Sequence, residues 1–150
     1  MTHPPAEKIY LDDLAVGDRF VSREFALDAA QIKAFARDWD PQPFHLDENA
    51  AAASFFAGLA ASGWHTAAVS MRLMVESVPI GSGLIGAGVE ITWPQPTRPD
   101  DVLHVESTIL AVVPSKSKPD RGIVTMQSDT FNQRGEPVQK LVSKVLVFRR

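Results

Sequence analysis

The segment that most constrains the fold is residues 63 to 78, GWHTAAVSMRLMVESV, in which almost every side chain is apolar or small. Ser62 precedes it, and a serine at this point can cap a helix by accepting a hydrogen bond from a free amide of the first turn. A helix that is apolar nearly all the way round must be buried. Its two full charges, Arg72 and Glu76, are four residues apart near the C-terminal end, so they can pair at the edge of whatever covers the helix.

The second half of the chain supplies long strands to cover that helix. A glycine-rich turn leads into VEITW, and three more strand patterns follow at residues 102–113, 122–132 and 138–149. The segments between them, PSKSKPDR and NQRGEP, have the charge, proline and glycine of turns. We therefore expect antiparallel neighbours and an α+β fold, in which the sheet wraps around the helix.

The first half is predicted to form one strand followed by helices. Residues 18–27 alternate as a strand does, and Asp28 stands where an N-cap would begin a helix. That helix must end near Asp40, because the proline that follows disfavours helical backbone before it and cannot donate a helical hydrogen bond. Asp47 is expected to cap a short helix over ENAAAASFF, which Gly58 closes.

Composition excludes several classes of protein. The 150 residues, 45% hydrophobic and 22% charged, suit a single domain over residues 1–150, and no apolar run is long enough to span a membrane. Eighteen acidic against fifteen basic residues give a net charge of −3, without the basic stripe that binding to nucleic acid requires. With no cysteine and no signal-peptide pattern, we expect a cytoplasmic protein whose residues 1–8 form a flexible tail.

The motif with the clearest chemistry is DPQPFH, which begins at Asp40 and ends at His45. Its two prolines stiffen the backbone between a carboxylate and an imidazole, and general acid–base catalysis needs two such groups at a fixed separation. We expect the two side chains to hold one water molecule between them. The alternative is that Asp40 merely caps a turn and His45 is an ordinary surface or core histidine.

This motif resembles the signature of the MaoC-like dehydratases, Asp-x-Asn-Pro-x-His, a group that includes (R)-specific enoyl-CoA hydratases and has the hotdog fold. Asp40, Pro43 and His45 match the signature, and Gln42 replaces its asparagine with a longer amide. The resemblance covers about residues 10 to 149. The segments FALDAAQIKAFARDWD, ASGWHTAAVSMRLM and ITWPQPTRPDDVLHVES also match, in the order and spacing typical of this family.

The resemblance implies a reaction and a set of site residues. Members of the group add water reversibly to a 2-enoyl thioester, which assigns Asp40 and His45 to hold the water and move its protons. Gly63 matches a family glycine whose amide meets the negative charge that develops on the thioester oxygen. The residues expected to contact the substrate are Gln42, Trp64 and Ser70, although packing inside the helix is the alternative for the serine.

The resemblance also implies partners. The substrate would be an acyl-CoA or another acyl thioester, with coenzyme A present only as part of the substrate and no further cofactor. A single sheet of this kind leaves an exposed edge strand, so a homodimer or higher homo-oligomer is expected, with the acyl pocket near the subunit boundary. Two other functions stay open: a hotdog acyl-CoA thioesterase, against which the motif spacing argues, and a non-catalytic acyl-thioester-binding or scaffold subunit.

Two further histidines have structural interpretations. His65 is expected to pack in the core with a hydrogen bond to a backbone carbonyl, although it begins the helix near the proposed site. His104 alternates with apolar neighbours and is expected to face solvent. No pair of histidines has ligand spacing with a third donor, so no metal site is predicted.

The remaining candidates are basic and aromatic residues. The turn SKSKPDR could contact the phosphates of coenzyme A or could simply be a solvated hairpin tip; its cations are Lys116, Lys118 and Arg121. The tryptophans are expected in the core or in an interface. Trp64 is also a candidate for the wall of an acyl pocket.

Overall fold

One helix packs against the inner face of an antiparallel sheet in the computed structural model, which describes residues 7–150. The helices are α1 (Ala29–Trp39), α2 (Pro43–Leu46), α3 (Glu48–Ala52) and α4 (Gly63–Ser77), after a 3-10 turn at Leu11–Asp13. The strands are β1 (Arg19–Val21), β2 (Phe25–Leu27), β3 (Ile85–Thr92), β4 (Asp101–Pro114), β5 (Arg121–Phe131) and β6 (Pro137–Phe148). The expected tail, residues 1–8, lies outside the described residues except for Glu7 and Lys8, which are exposed. Within residues 7–150, no helix has the length and hydropathy of a membrane span.

The sheet has the strand order β1-β4-β5-β6-β3, with β2 also pairing with β4, and all the pairings are antiparallel. The three long strands begin and end within one residue of the predicted ranges. Their side chains alternate between buried and less buried positions, which is the pattern that the sequence carried. The antiparallel α+β prediction is therefore confirmed.

The strand predicted over residues 18–27 is wrong as a continuous element, because it divides into β1 and β2. Both short strands pair with β4, and Ser22 lies in the break between them. The Ser22 hydroxyl accepts a hydrogen bond from the Val105 amide at 2.8 Å, while the Ser22 amide donates to the Val105 carbonyl at 2.9 Å. The Ser22 side chain thus replaces one backbone acceptor between the strands, and the regular pairing ends there.

The core lies between α4 and the sheet. Leu73 and Met74 on α4 are 0% and 3% exposed, and they pack against buried aliphatic side chains of the three long strands. The strand residues of this cluster are Val105, Ile109, Val124, Met126, Leu141, Val145 and Val147. The prediction that a sheet covers this helix is confirmed for the side of α4 that faces the strands.

The other side of α4 is not buried within one chain, contrary to the prediction for the whole helix. Trp64, Met71 and Val75 are 62%, 41% and 53% exposed, and their spacing puts them on one side of the helix. The sheet contacts only the opposite side, so an apolar stripe is left open. We call Trp64, Met71 and Val75 the α4 stripe.

Two element boundaries also differ from the prediction. β3 begins at Ile85, four residues before the predicted VEITW segment. Gly86 and Gly88, which were expected in the turn before it, lie within the strand and flank a shift in its register with β6. α3 ends at Ala52 instead of continuing through ENAAAASFF. The chain turns back there, and the Gly58 amide donates to the Ala51 carbonyl at 3.0 Å.

The predicted ion pair on α4 is present, with Arg72 Nε 3.0 Å from Glu76 Oε1. Arg23, in the connection between β1 and β2, contacts the same carboxylate at 2.6 Å. The hydrogen bonds from Arg23 and then from Arg72 lower the pKa of Glu76 to about 2. The carboxylate therefore joins the β1–β2 connection to the C-terminal half of α4.

The packing of α4 predicts the effect of one substitution. Leu73→Ala removes a side chain that is 0% exposed and should lower the free energy of unfolding by about 2–5 kcal/mol, measured by chemical denaturation. Leu110→Ala makes the same chemical change at a residue that is 43% exposed and is the matched control. A cost at Leu73 no larger than that at Leu110 would contradict this assignment of the core.

Candidate active site

A cavity of about 480 Å³ opens beside the first turn of α4, between the α1–α2 connection and the β3–β4 connection. Aromatic rings form much of its wall; they belong to Phe44, Phe55, Phe56, Trp64 and Trp93. The polar groups of the DPQPFH motif face the same space, as does Gly63. The structure therefore brings most of the site residues expected from the sequence to one cavity.

Asp40 and His45 are in direct contact at the wall of this cavity. His45 Nε2 is 3.3 Å from Asp40 Oδ2, and the two side chains are 5% and 16% exposed. Asp40 is the C-cap of α1, as predicted. His45 lies within α2, a short helix that was not predicted from the sequence. Pro43 occupies the first position of α2, where its fixed backbone angle favours a helical turn.

The His45 ring is oriented by the backbone. Its Nδ1 is 2.6 Å from the Ala60 carbonyl oxygen, which can only accept a hydrogen bond, so Nδ1 carries the hydrogen. The Ala60 amide in turn donates to the Phe44 carbonyl at 3.2 Å. Nε2 is then the nitrogen that faces Asp40 and is available for proton transfer.

Two neutral side chains donate hydrogen bonds to the Asp40 carboxylate. Gln42 Nε2 donates to Oδ1 at 2.5 Å, and the Ser62 hydroxyl donates to Oδ2 at 2.6 Å. Burial raises the pKa of Asp40, but the bonds from Ser62 and Gln42, together with the nearby His45, outweigh it and hold the pKa below its usual value. The carboxylate is therefore ionised at neutral pH.

Gly63 begins α4, as predicted, and Ser62 is its N-cap. The residues in the range 7–150 supply no acceptor to the Gly63 amide, which belongs to the unpaired first turn of the helix. A Cβ at this position would lie 2.7 Å from the Trp93 ring, so the close approach requires glycine. Trp93 is itself held by Gln139, whose Oε1 accepts from the indole Nε1 at 3.0 Å.

Arg98 organises one side of the cavity and was assigned no role from the sequence. Its guanidinium donates to the carbonyls of Phe56, Gly58 and Leu59, the last two at 2.8 and 3.2 Å. These bonds fix the segment that carries the Phe56 ring and leads to Ala60, the partner of His45. The bonded residues are 39 to 42 positions away in the chain, so no local pattern predicts the contact.

The comparison with protein families identifies the chain. Residues 14–130 match the family described as MaoC like domain. The chain belongs to the MaoC-like domain family.

Individual relatives of this MaoC-like domain support the same conclusion. It is 65% identical to a MaoC-like dehydratase from Rhodospirillum rubrum, with a TM-score of 0.93 over 95% of this chain and 98% of that one. The R-hydratase PhaJ1 from Pseudomonas aeruginosa is 25% identical, with a TM-score of 0.78 over 95% of this chain and 88% of that one. The uncharacterized protein YdeM of Bacillus subtilis is 33% identical, over 93% of this chain and 99% of its own length. The family resemblance and the hotdog fold are thereby confirmed.

The structure distributes the three residues expected to contact substrate differently. Gln42 and Trp64 line the cavity of the MaoC-like domain. Ser70 does not, because it is 1% exposed and its hydroxyl is 2.6 Å from that of Thr130 on β5. For Ser70 the structure favours the alternative, packing between α4 and the sheet.

The tryptophans are not core residues, contrary to one of the two expectations for them. Trp39, Trp64 and Trp93 are 75%, 62% and 41% exposed. Trp64 and Trp93 pack edge to face at the cavity, with ring centroids 5.5 Å apart. The other expectation, that the tryptophans lie in an interface, stays a prediction.

The basic turn lies far from the cavity. It joins β4 to β5 at the end where Pro114 pairs with Gly122, whereas Thr130 marks the other end, near α4. The eight residues between Gly122 and Thr130 span roughly 26 Å of strand. Within one chain the turn is a hairpin tip at the opposite end of β5 from Thr130, and its contact with the phosphates of coenzyme A stays a prediction.

His65 and His104 both contact aromatic rings. His65 is buried, as predicted, but its Nδ1 has no partner in the described residues, so the expected bond to a carbonyl is wrong. Its ring instead stacks on Phe35 with centroids 4.5 Å apart, and burial lowers the pKa of His65. His104 lies on the outer side of β4, partly covered by Phe131. Among residues 7–150 there is no cluster of three metal-ligating side chains.

The contacts of Arg98 predict a local effect. Arg98→Met keeps the length of the side chain but removes every bond to the three carbonyls, so amide hydrogen exchange in residues 53–61 should accelerate by at least about tenfold. Arg37→Met removes an exposed arginine on α1 and is the matched control. Unchanged exchange in residues 53–61 of Arg98→Met would show that Arg98 does not hold this segment.

Proposed function

We propose that this MaoC-like domain is an (R)-type hydro-lyase that reversibly adds water to a 2-enoyl thioester, such as a 2-enoyl-CoA. The observation that carries the proposal is the contact between His45 Nε2 and Asp40 Oδ2, 3.3 Å apart, in the same cavity as the Gly63 amide. This arrangement supplies two groups that can move protons and one donor for a developing negative charge. Those are the requirements of water addition to an enoyl thioester.

In the proposed reaction, one water molecule is held by Asp40 and His45. Asp40 is the proton acceptor, because hydrogen bonds from two neutral donors favour its ionised form. As the water oxygen bonds to C3 of the substrate, one water proton passes to Asp40. That proton crosses the short Oδ2–Nε2 separation to His45, and His45 Nε2 delivers it to C2, so both residues return to their starting state.

The Gly63 amide stabilises the intermediate charge in this proposal. Attack at C3 moves negative charge onto the thioester oxygen, and a free amide at the positive end of α4 is suited to receive it. The absence of a Cβ lets the Trp93 ring pack directly against the backbone at Gly63. This contact leaves no space for a side chain at position 63, because the Trp93 ring occupies it.

The wall of the cavity favours an apolar acyl group. Its aromatic rings, including Phe56 and Trp64, offer apolar surface beside the two polar residues. The proposed chemistry uses only groups of the chain and the substrate, so coenzyme A enters as the carrier of the acyl group and no further cofactor takes part.

Removal of either member of the pair is expected to affect the rate much more than the fold. Asp40→Asn and His45→Gln should each lower hydration of crotonyl-CoA by at least about 100-fold, because each loses one proton-transfer group. The decrease in enoyl absorbance measures the rate, and circular dichroism checks the fold. Full turnover in either folded variant would show that these residues are not the catalytic pair.

The same assay separates the alternative functions. Loss of enoyl absorbance without release of free thiol indicates hydration. Release of free thiol indicates a thioesterase. Binding of crotonyl-CoA without either change, in calorimetry, indicates a non-catalytic acyl-thioester-binding or scaffold subunit.

We also propose that two copies of the chain pair along β3. This strand is at an edge of the sheet within the described residues, and Ile85 and Val89 on it are 43% and 57% exposed. The α4 stripe is exposed as well, and it begins at Trp64 beside the cavity. Pairing would cover an unprotected strand edge and apolar side chains that a single chain leaves open.

Light scattering tests this pairing. The wild-type chain should have the mass of a dimer or larger oligomer at micromolar concentration, and Val89→Lys should shift it toward monomer by placing two like charges near the shared edge. Val113→Lys is the matched control, because Val113 is 60% exposed on β4, away from that edge. A monomeric wild-type protein would contradict the proposal.

A further inference from the structure

We propose that Ser62 is a positioning residue for the reaction proposed above, and that it fixes the Asp40 carboxylate to the first turn of α4. The inference rests on the proposed function for its role in catalysis, but the contact itself belongs to the structure. Ser62 was expected only to cap a helix. It does both, because its one oxygen is shared between the helix and the carboxylate.

The direction of the two hydrogen bonds is determined by their partners. The Trp64 amide can only donate, so the Ser62 oxygen accepts from it at 3.3 Å. The single hydroxyl proton of Ser62 is then committed to Asp40 Oδ2 at 2.6 Å. Ser62 is 0% exposed, so water does not compete for this proton. The result is a chain of donors that runs from the positive end of α4 to the carboxylate.

This chain couples the two halves of the proposed site. Ser62 and Gly63 are adjacent residues, so one peptide unit separates the anchor of Asp40 from the amide proposed to receive the thioester oxygen. The other donor to the carboxylate, Gln42, lies on the α1–α2 connection and has no such link to α4. Ser62 therefore sets the separation between the group that handles water and the group that binds the thioester.

The charge on Asp40 depends on the same contact. His45 on α2 is the titratable side chain that faces it, and Gln42 and Ser62 are neutral. Burial raises the pKa of Asp40. Two hydrogen bonds lower it, the larger effect coming from Ser62 and the smaller from Gln42. Loss of the Ser62 hydroxyl leaves burial less opposed, so the pKa of Asp40 should rise.

The test uses two variants of the full chain that remove the hydroxyl. Ser62→Ala loses both the cap and the donor, whereas Ser62→Gly loses the donor but keeps a residue that tolerates the N-cap position well. Both should lower kcat for crotonyl-CoA hydration by about 10- to 100-fold with a smaller change in KM, and both should move the acidic limb of the pH profile to higher pH.

Asp28→Ala is the matched control, since Asp28 caps α1 through a bond to the Gln31 amide and does not contact Asp40. It should leave kcat and the acidic limb near those of the wild type. If Ser62→Gly retains both the wild-type kcat and the wild-type acidic limb, the proposal is overturned. The same holds if Asp28→Ala reproduces the effects of the Ser62 variants.

A second measurement does not require activity. The ionisation of the Asp40 carboxyl group can be followed through the NMR chemical shift of its carboxyl carbon, in the wild type and in Ser62→Gly. Asp40→Asn is used to assign the signal. A higher pKa in Ser62→Gly supports the anchor even if crotonyl-CoA is not hydrated, in which case only the proposed function fails. An equal pKa in the two proteins would overturn the role of Ser62.

Discussion

The site depends on keeping one ionised carboxylate inside a largely aromatic cavity, where burial opposes its charge. Asp40 meets this condition because Ser62 and Gln42 donate to its two oxygens, while His45 faces one of them. These partners come from three backbone segments: the first turn of α4, the α1–α2 connection and α2. The relative position of these segments therefore determines which groups can reach the Asp40 carboxylate.

Much of the fold could be predicted because its determinants are local. Strand patterns separated by turn residues predicted each of the three long strands to within one residue. The caps at Asp28, Asp47 and Ser62 predicted the starts of three helices. The pair at Asp40 and His45 was predictable for the same reason. Two prolines within six residues restrict how far apart these side chains can be.

The residues that hold the site in place could not be predicted, because they act across long separations in the chain. Arg98 binds carbonyls about 40 positions away, and Gln139 orients Trp93 from another strand. A sequence pattern records neither contact. The partners of Ser70 and His65 could not be predicted for a related reason, since the polarity of a side chain does not tell whether it faces a cavity or a neighbouring element. Thr130 and Phe35 occupy those positions here.

Gln42 illustrates how the motif tolerates a change. The family signature has asparagine at this position, and the longer glutamine keeps an amide whose Nε2 reaches back two residues to Asp40 Oδ1. Because Pro41 and Pro43 enclose Gln42, its backbone has little freedom, and the extra methylene changes only the reach of the amide. Gln42 thus supplies a donor to the second carboxylate oxygen of Asp40 from a position between two prolines.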